Sequence, residues 1–275
     1  MARFVGEERS LDGLCEEYRN EELRKKINAL KAVYPRWHAI RGDGNCFYRA
    51  VWTGYSRLFC RLPTDEHNFE EERLRFQNVL CANQHLFHQL KPETKELLFA
   101  QLKKLSLSPP HNENEASTTE ATTNDEATEA SKKEEEKEEE LFSQLINDEA
   151  TSDGFVLFLR LLTSDTLRKG KDFYSLFLDD DDDDKGGVFE QRCQRAETMG
   201  EEAEQLEMVA LLSALGVSAK VWRLERGGKG ITSVVLPDDS KKQQLLTLLY
   251  RPGHYDLLLP RASCSGSSSS SSSSS

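Results

Sequence analysis

The chain has 275 residues, 37% of them hydrophobic and 31% charged, with a formal net charge of -12 and a mean hydropathy of -0.64. That is enough apolar material for one substantial core with much of the surface in water. No apolar run reaches the roughly 18 residues of a membrane-spanning helix, so none is expected. The charge sits largely in two stretches: residues 108–140 hold twelve acids against three lysines, and six aspartates run from Asp179 to Asp184. About +3 is left for everything else, and a near-neutral body argues against nucleic acid as a partner.

The opening Met1-Ala2-Arg3-Phe4-Val5-Gly6-Glu7-Glu8 turns charged too soon for a secretory leader, which points to an intracellular protein, cytoplasmic or also nuclear. Residues 11–34 read as helix, with Leu23, Ile27, Leu30 and Tyr34 on one face and Pro35 closing the segment. A glycine-punctuated turn, Arg41-Gly42-Asp43-Gly44-Asn45, then runs into a buried helix through Cys46, Phe47, Ala50, Val51, Leu58 and Phe59. Two amphipathic helices are expected over 69–82 and 93–105. Residues 108–140 have almost no large apolar side chains and read as a disordered acidic insertion, whose Glu-Lys-rich end is able to prolong the next helix.

Helical patterning resumes over 141–162, with a break at Thr151-Ser152-Asp153-Gly154 and a fresh start near Phe155. The aspartate run lacks the glycine and glutamate spacing of an EF-hand and reads as a solvated loop. A helix over 201–215 ends at Gly216, strands follow over 217–222 and 231–236, and 245–250 with 255–259 form a hairpin about Pro252-Gly253. Residues 263–275 are a Ser-rich flexible tail. The layout is a single α+β domain over 1–262, helical in its N-terminal part, with a small, mostly antiparallel sheet near the C-terminus.

Two of these places carry chemistry. Cys46 stands at a helix start, where unpaired N–H groups and the positive end of the helix dipole favour a thiolate, and the glycines of the loop let amides point at an oxyanion. A buried structural cysteine would fit the same turn. His254 and Asp256 lie two apart on one strand, so their side chains leave the same face, as a base and its orienting carboxylate would; a satisfied loop histidine fits equally. The six cysteines, at 15, 46, 60, 81, 193 and 264, show no paired or metal-ligand spacing, and His85-x-x-His88 reads as a solvated or packed pair, so neither disulfide nor metal is expected.

Three segments taken together resemble the otubains, cysteine deubiquitinases of the ovarian-tumour superfamily. They are Asp43-Gly44-Asn45-Cys46-Phe47-Tyr48-Arg49-Ala50, Thr151-Ser152-Asp153 leading into Phe158-Leu159-Arg160-Leu161-Leu162-Thr163-Ser164, and Tyr250-Arg251-Pro252-Gly253-His254-Tyr255-Asp256. A weaker fourth is Val217-Ser218 with Val221 and Arg226-Gly227. The resemblance implies a papain-like OTU fold and a ubiquitin-specific cysteine protease that needs no cofactor. It makes Cys46 the nucleophile, His254 the general base and acid, Asp256 the residue orienting it, and the backbone amide of Asp43 part of the oxyanion hole.

Ubiquitin and polyubiquitin chains are the implied partners of a monomeric enzyme. Some otubains use a longer N-terminal arm to bind ubiquitin-conjugating enzymes; about forty residues precede the loop here. Other outcomes are a silent ubiquitin-binding module, a regulatory scaffold working through the acidic insertion, or a protease for another ubiquitin-like modifier.

Overall fold

A computed structural model describes residues 3–60, 69–90, 92, 95, 96, 99, 124–178, 185–239 and 242–261. The stretch read as one helix over 11–34 is two, α1 (Leu11–Glu17) and α2 (Glu21–Leu30), because the Asn20 side chain accepts from the Leu23 N–H and caps a new helix. A strand the sequence reading did not foresee, β1 (Val5–Ser10), precedes them, and another, β2 (Arg36–Ile40), follows Pro35.

Next come α3 (Cys46–Phe59), α4 (Phe69–Ala82), a short 3-10 turn at Gln84–Gln89, α5 (Asn124–Asn147) and α6 (Glu149–Lys169). They are followed by a single turn α7 (Lys171–Tyr174), α8 (Lys185–Glu197), α9 (Gln205–Leu215), and strands β3 (Val217–Arg223), β4 (Thr232–Leu236), β5 (Gln243–Arg251) and β6 (His254–Leu259). Among the described residues no helix is long and apolar enough to cross a membrane.

The sheet is larger than the small C-terminal one expected. Six strands in the order β1-β2-β6-β5-β3-β4 form it, so the two N-terminal strands extend the C-terminal hairpin, and β3 pairs parallel to β5 while the other pairings are antiparallel. Helices cover both faces. Leu246, Leu248, Leu257 and Leu259 join the main core under α3 and α6, whereas Leu249 and Leu258 point the other way, clustering with Trp37 of β2 and with Leu14 of α1 and Ile27 of α2. This explains why β5 and β6 read as unbroken leucine runs rather than as alternation.

α3 is the centre of the main core: every one of its residues is buried. Trp52 stacks on Phe155 of α6 with ring centroids 3.6 Å apart, and its indole N–H donates to the Leu145 carbonyl at 2.8 Å.

Three helix boundaries differ from expectation. α6 starts at Glu149, not near Phe155, because Asp148 accepts the Thr151 N–H at 2.9 Å and wins the cap; Thr151 and Ser152 thereby fall inside the helix and are buried. α5 starts at Asn124, so the part of the acidic stretch from 124 to 140 is helical rather than disordered. Its Glu, Ala and Lys residues are strong helix formers, and Phe142, Leu145 and Ile146 anchor its far end in the core. α9 begins at Gln205 rather than 201, behind a reciprocal cap between Glu204 and Glu207. Residues 108–123, the helix expected over 93–105 for the most part, the aspartate run and the Ser-rich tail lie outside the described residues.

Candidate active site

Two buried arginines hold the turn ahead of α3. Arg160, a lone cation in the apolar face of α6, is fully buried; its Nε and Nη2 donate to Asn45 Oδ1 at 3.0 and 2.7 Å. The same guanidinium reaches the carbonyls of Gly44 (3.1 Å), Ala196 (3.1 Å) and Glu201 (2.5 Å), and lies 4.3 Å from the centroid of Tyr48. Arg49, one turn into α3, donates to Ser152 Oγ at 2.8 Å and bridges the carboxylates of Asp43 and Asp153, both at 2.9 Å. The loop is pinned from within α3 and from α6.

Asn45 occupies the cap position of α3 but spends its side-chain oxygen on Arg160 and on the Gly200 N–H at 2.9 Å, leaving no side-chain cap on the helix. The first-turn amides of α3 are therefore open at the residue where Cys46 sits, 4% exposed. Gly44 makes this possible. It adopts φ +74, and a Cβ there would lie 1.7 Å from the Gly200 carbonyl oxygen, so only glycine lets the two loops touch. Gly44→Ala should cost about 3 kcal/mol, seen as a lower urea midpoint, and reduce turnover of the folded fraction about a hundredfold by displacing the loop.

The hairpin brings the other two residues to the same place. His254 is half-buried opposite the loop, and Asp256, with no exposed surface, lies beneath it. The ionised carboxylate only accepts, so His254 Nε2–H donates to Asp256 Oδ1 at 3.0 Å, and the same oxygen takes the Ile40 N–H from β2 at 2.9 Å. Asp256 Oδ2 pairs with Arg251 at 2.5 Å across the hairpin, where Arg251 is the register partner of His254. With Nε2 so engaged, Nδ1 is the nitrogen left to hydrogen-bond Cys46, and it faces Gly42.

Burial alone would lower the His254 pKa. The hydrogen bonds to Asp256 and then to Cys46 outweigh it and raise the value to about 9. The sign follows: the imidazolium and the stability it contributes are fully present below about 6.5 and are lost as pH rises to about 9. If His254 delivers a proton during turnover, kcat/KM falls on a descending limb near pH 9, and removing the Asp256 partner moves that limb down towards 6.5; a pH–rate profile of both proteins checks this.

Of the four residues singled out from sequence, Cys46, His254 and Asp256 come together. Asp43 lies beside them, but its amide N–H donates to the Arg41 carbonyl at 3.1 Å and its carboxylate is spent on the Asn45 N–H and Arg49. The Asp43 amide therefore reaches an oxyanion only by releasing Arg41. The sequence reading missed Arg49, Arg160 and Arg251. Arg49 and Arg160 had a visible signal, a lone arginine inside an apolar helical run, which must be paired to be buried.

A cleft of about 360 Å³ opens beside Cys46, walled by Met208, Tyr250 and Tyr255 and by Glu202, Glu204, Arg223 and Glu225. Glu204 is paired with Arg192 and Arg195, which leaves Glu202 and Glu225 to one guanidinium, and that balance suits a basic extended segment that ends at the sulfur. Among the described residues no group of His, Cys, Asp and Glu is arranged to hold a metal ion.

The chain matches the Peptidase C65 Otubain family over residues 1–131 and 125–260. It is 32% identical to the human ubiquitin thioesterase OTUB1, covering 93% of this chain and 82% of that protein. It is 29% identical to the Arabidopsis thaliana ovarian tumor domain-containing deubiquitinating enzyme 1, covering 96% and 83%. In fold it is similar to the h/ceOTUB1 chain solved with ubiquitin aldehyde and UBC13~Ub: TM-score 0.68 at 24% identity, over 94% of this chain and 91% of that one. The α+β papain-like OTU fold anticipated from the sequence is therefore the fold observed, and the chain belongs to the Peptidase C65 otubain family.

Proposed function

We propose that this protein is a deubiquitinase, a cysteine protease that hydrolyses the isopeptide bond at the ubiquitin C-terminus. The observation that carries the reading is Cys46 at an uncapped helix start, beside an imidazole that is itself held by a buried carboxylate. It is supported by relatives named ubiquitin thioesterases along most of the chain.

In this mechanism Cys46 Sγ, as the thiolate, attacks the carbonyl carbon of the terminal glycine, and the carbonyl electrons move onto oxygen. The Cys46 N–H stabilises that oxyanion, joined by the Asp43 N–H once it leaves the Arg41 carbonyl. Collapse breaks the C–N bond, and His254 Nδ1–H protonates the departing lysine amine. Neutral His254 then takes a proton from water, whose oxygen attacks the thioester, and the second collapse expels the thiolate. Asp256 keeps the ring oriented and stabilises the imidazolium throughout.

Ubiquitin and polyubiquitin chains are the partners this chemistry requires. Ubiquitin-conjugating enzymes are a further partner class, by analogy with the h/ceOTUB1–UBC13~Ub complex. Cleavage of linkage-defined diubiquitins by the purified protein tests the assignment: release of monoubiquitin supports it, and binding of ubiquitin without cleavage moves the reading to a silent binding module.

A further inference from the structure

Away from the triad, α2 carries a buried cation. The Lys26 side chain is 5% exposed; its ammonium donates to the Glu225 carbonyl at 2.7 Å and the Gly227 carbonyl at 2.5 Å, and it pairs with Glu22 one turn earlier at 2.8 Å. Two of its three protons are spent on backbone carbonyls, and Glu22 supplies the opposite charge. The Glu22 carboxyl is held below its usual range by that Lys26 hydrogen bond first and also by the backbone N–H of Gly227. Gly227 is thus held at its C=O by Lys26, whose charge is balanced by Glu22, four residues earlier on the same helix face.

The gripped segment connects β3 to β4. Its root supplies Arg223 and Glu225 to the wall of the cleft beside Cys46, while Leu224 between them is buried and donates its N–H to the Tyr250 carbonyl at 2.8 Å. Beyond the root, Gly227 and Gly228 take φ of +85 and +79, a conformation only glycine adopts freely, and the tip is exposed. A connection this rich in glycine has high conformational freedom, so the place of Glu225 in the cleft depends on what fastens its backbone.

We propose that Lys26 is a positioning residue for substrate: by fixing the backbone of Glu225 and Gly227 from α2 it sets the acidic wall of the cleft, and so KM, without touching substrate. This rests on the deubiquitinase reading, because a basic peptide tail entering the cleft is what the wall would hold.

Steady-state kinetics on ubiquitin bearing a C-terminal fluorogenic amide test it, with Lys26→Met, Glu22→Gln, Glu225→Ala and the Lys26→Met/Glu225→Ala pair. The expected result is a KM raised about tenfold by Lys26→Met and less by Glu22→Gln, with kcat within about twofold of the parent. In the Glu225→Ala background Lys26→Met adds little, about twofold at most, because the group it positions is gone. An equal cost in both backgrounds, a loss confined to kcat, or no change overturns the proposal. Should Lys26→Met not fold, Glu22→Gln, at a side chain 39% exposed, carries the same test. A wild-type protein inert to the substrate defeats the deubiquitinase reading and this proposal with it; an active wild type with unaltered variants defeats this proposal alone.

Discussion

Asp256→Asn will leave a folded protein that binds ubiquitin but turns it over about a thousandfold more slowly. The wild-type carboxylate accepts from the His254 ring and the Ile40 amide and is ion-paired with the Arg251 guanidinium. Asparagine keeps the shape and can still accept one or two of these bonds, yet it offers no negative charge to an imidazolium, and its NH2 competes for the wrong ring tautomer. Arg251 is meanwhile left beside a neutral amide. The loss belongs to kcat, since none of these groups lines the cleft, and the descending pH limb should fall from near 9. Stopped-flow alkylation of Cys46 by iodoacetamide gives an independent reading: the rate at pH 8 should drop with the imidazolium population. A kcat within tenfold of the parent would remove Asp256 from the mechanism.

Arg160→Met should do its damage one step earlier, in the loop. The methionine fills part of the space but removes the donor to the carbonyls of Gly44, Ala196 and Glu201, and leaves the Asn45 amide oxygen with the Gly200 N–H alone. Burial of the arginine lowers its own pKa, so the native arrangement carries a desolvation cost that the variant relieves. Even after that relief, the unmatched acceptors leave a net loss of about 3–5 kcal/mol, measurable as a shift of the urea midpoint. The folded fraction should also lose about a hundredfold in kcat/KM, because a displacement of the Asn45–Cys46 loop by about 1 Å misaligns the sulfur. Arg160→Lys cannot rescue it, for an ammonium has no fork to span Asn45 and Glu201 together. Unchanged stability in Arg160→Met would contradict this account of the loop.

How far the sequence carried the structure can be argued residue by residue. The site was legible because its parts are local: Gly44 demands a turn, Cys46 follows it into an apolar run, and Pro252-Gly253 fixes a hairpin that puts His254 and Asp256 on one side. Helix α4 was readable to its ends for the same reason.

β1 was not legible because it is an edge strand with mostly exposed residues, Val5-Gly6-Glu7-Glu8-Arg9-Ser10, and gives no alternation of apolar and polar side chains. β2 is too short to show a period, and its role, donating the Ile40 amide to Asp256, appears only when strands distant in sequence pair. The cap at Asp148 was not foreseen because Thr151 and Ser152 just after it offer the same chemistry, and competing caps cannot be ranked without knowing which residues the core needs buried. The arginine clamps, the Lys26 grip and the engaged Asp43 amide are likewise products of tertiary contact.

The most direct test of the central claim is the reaction of the purified protein with ubiquitin bearing a C-terminal electrophile, read by mass spectrometry beside Cys46→Ala. The account predicts a one-to-one covalent adduct mapped to Cys46 in the parent and no adduct in the variant, with Cys15, Cys60, Cys81, Cys193 and Cys264 unmodified. An adduct that persists in Cys46→Ala, or a parent protein that neither reacts with ubiquitin nor binds it, would contradict it.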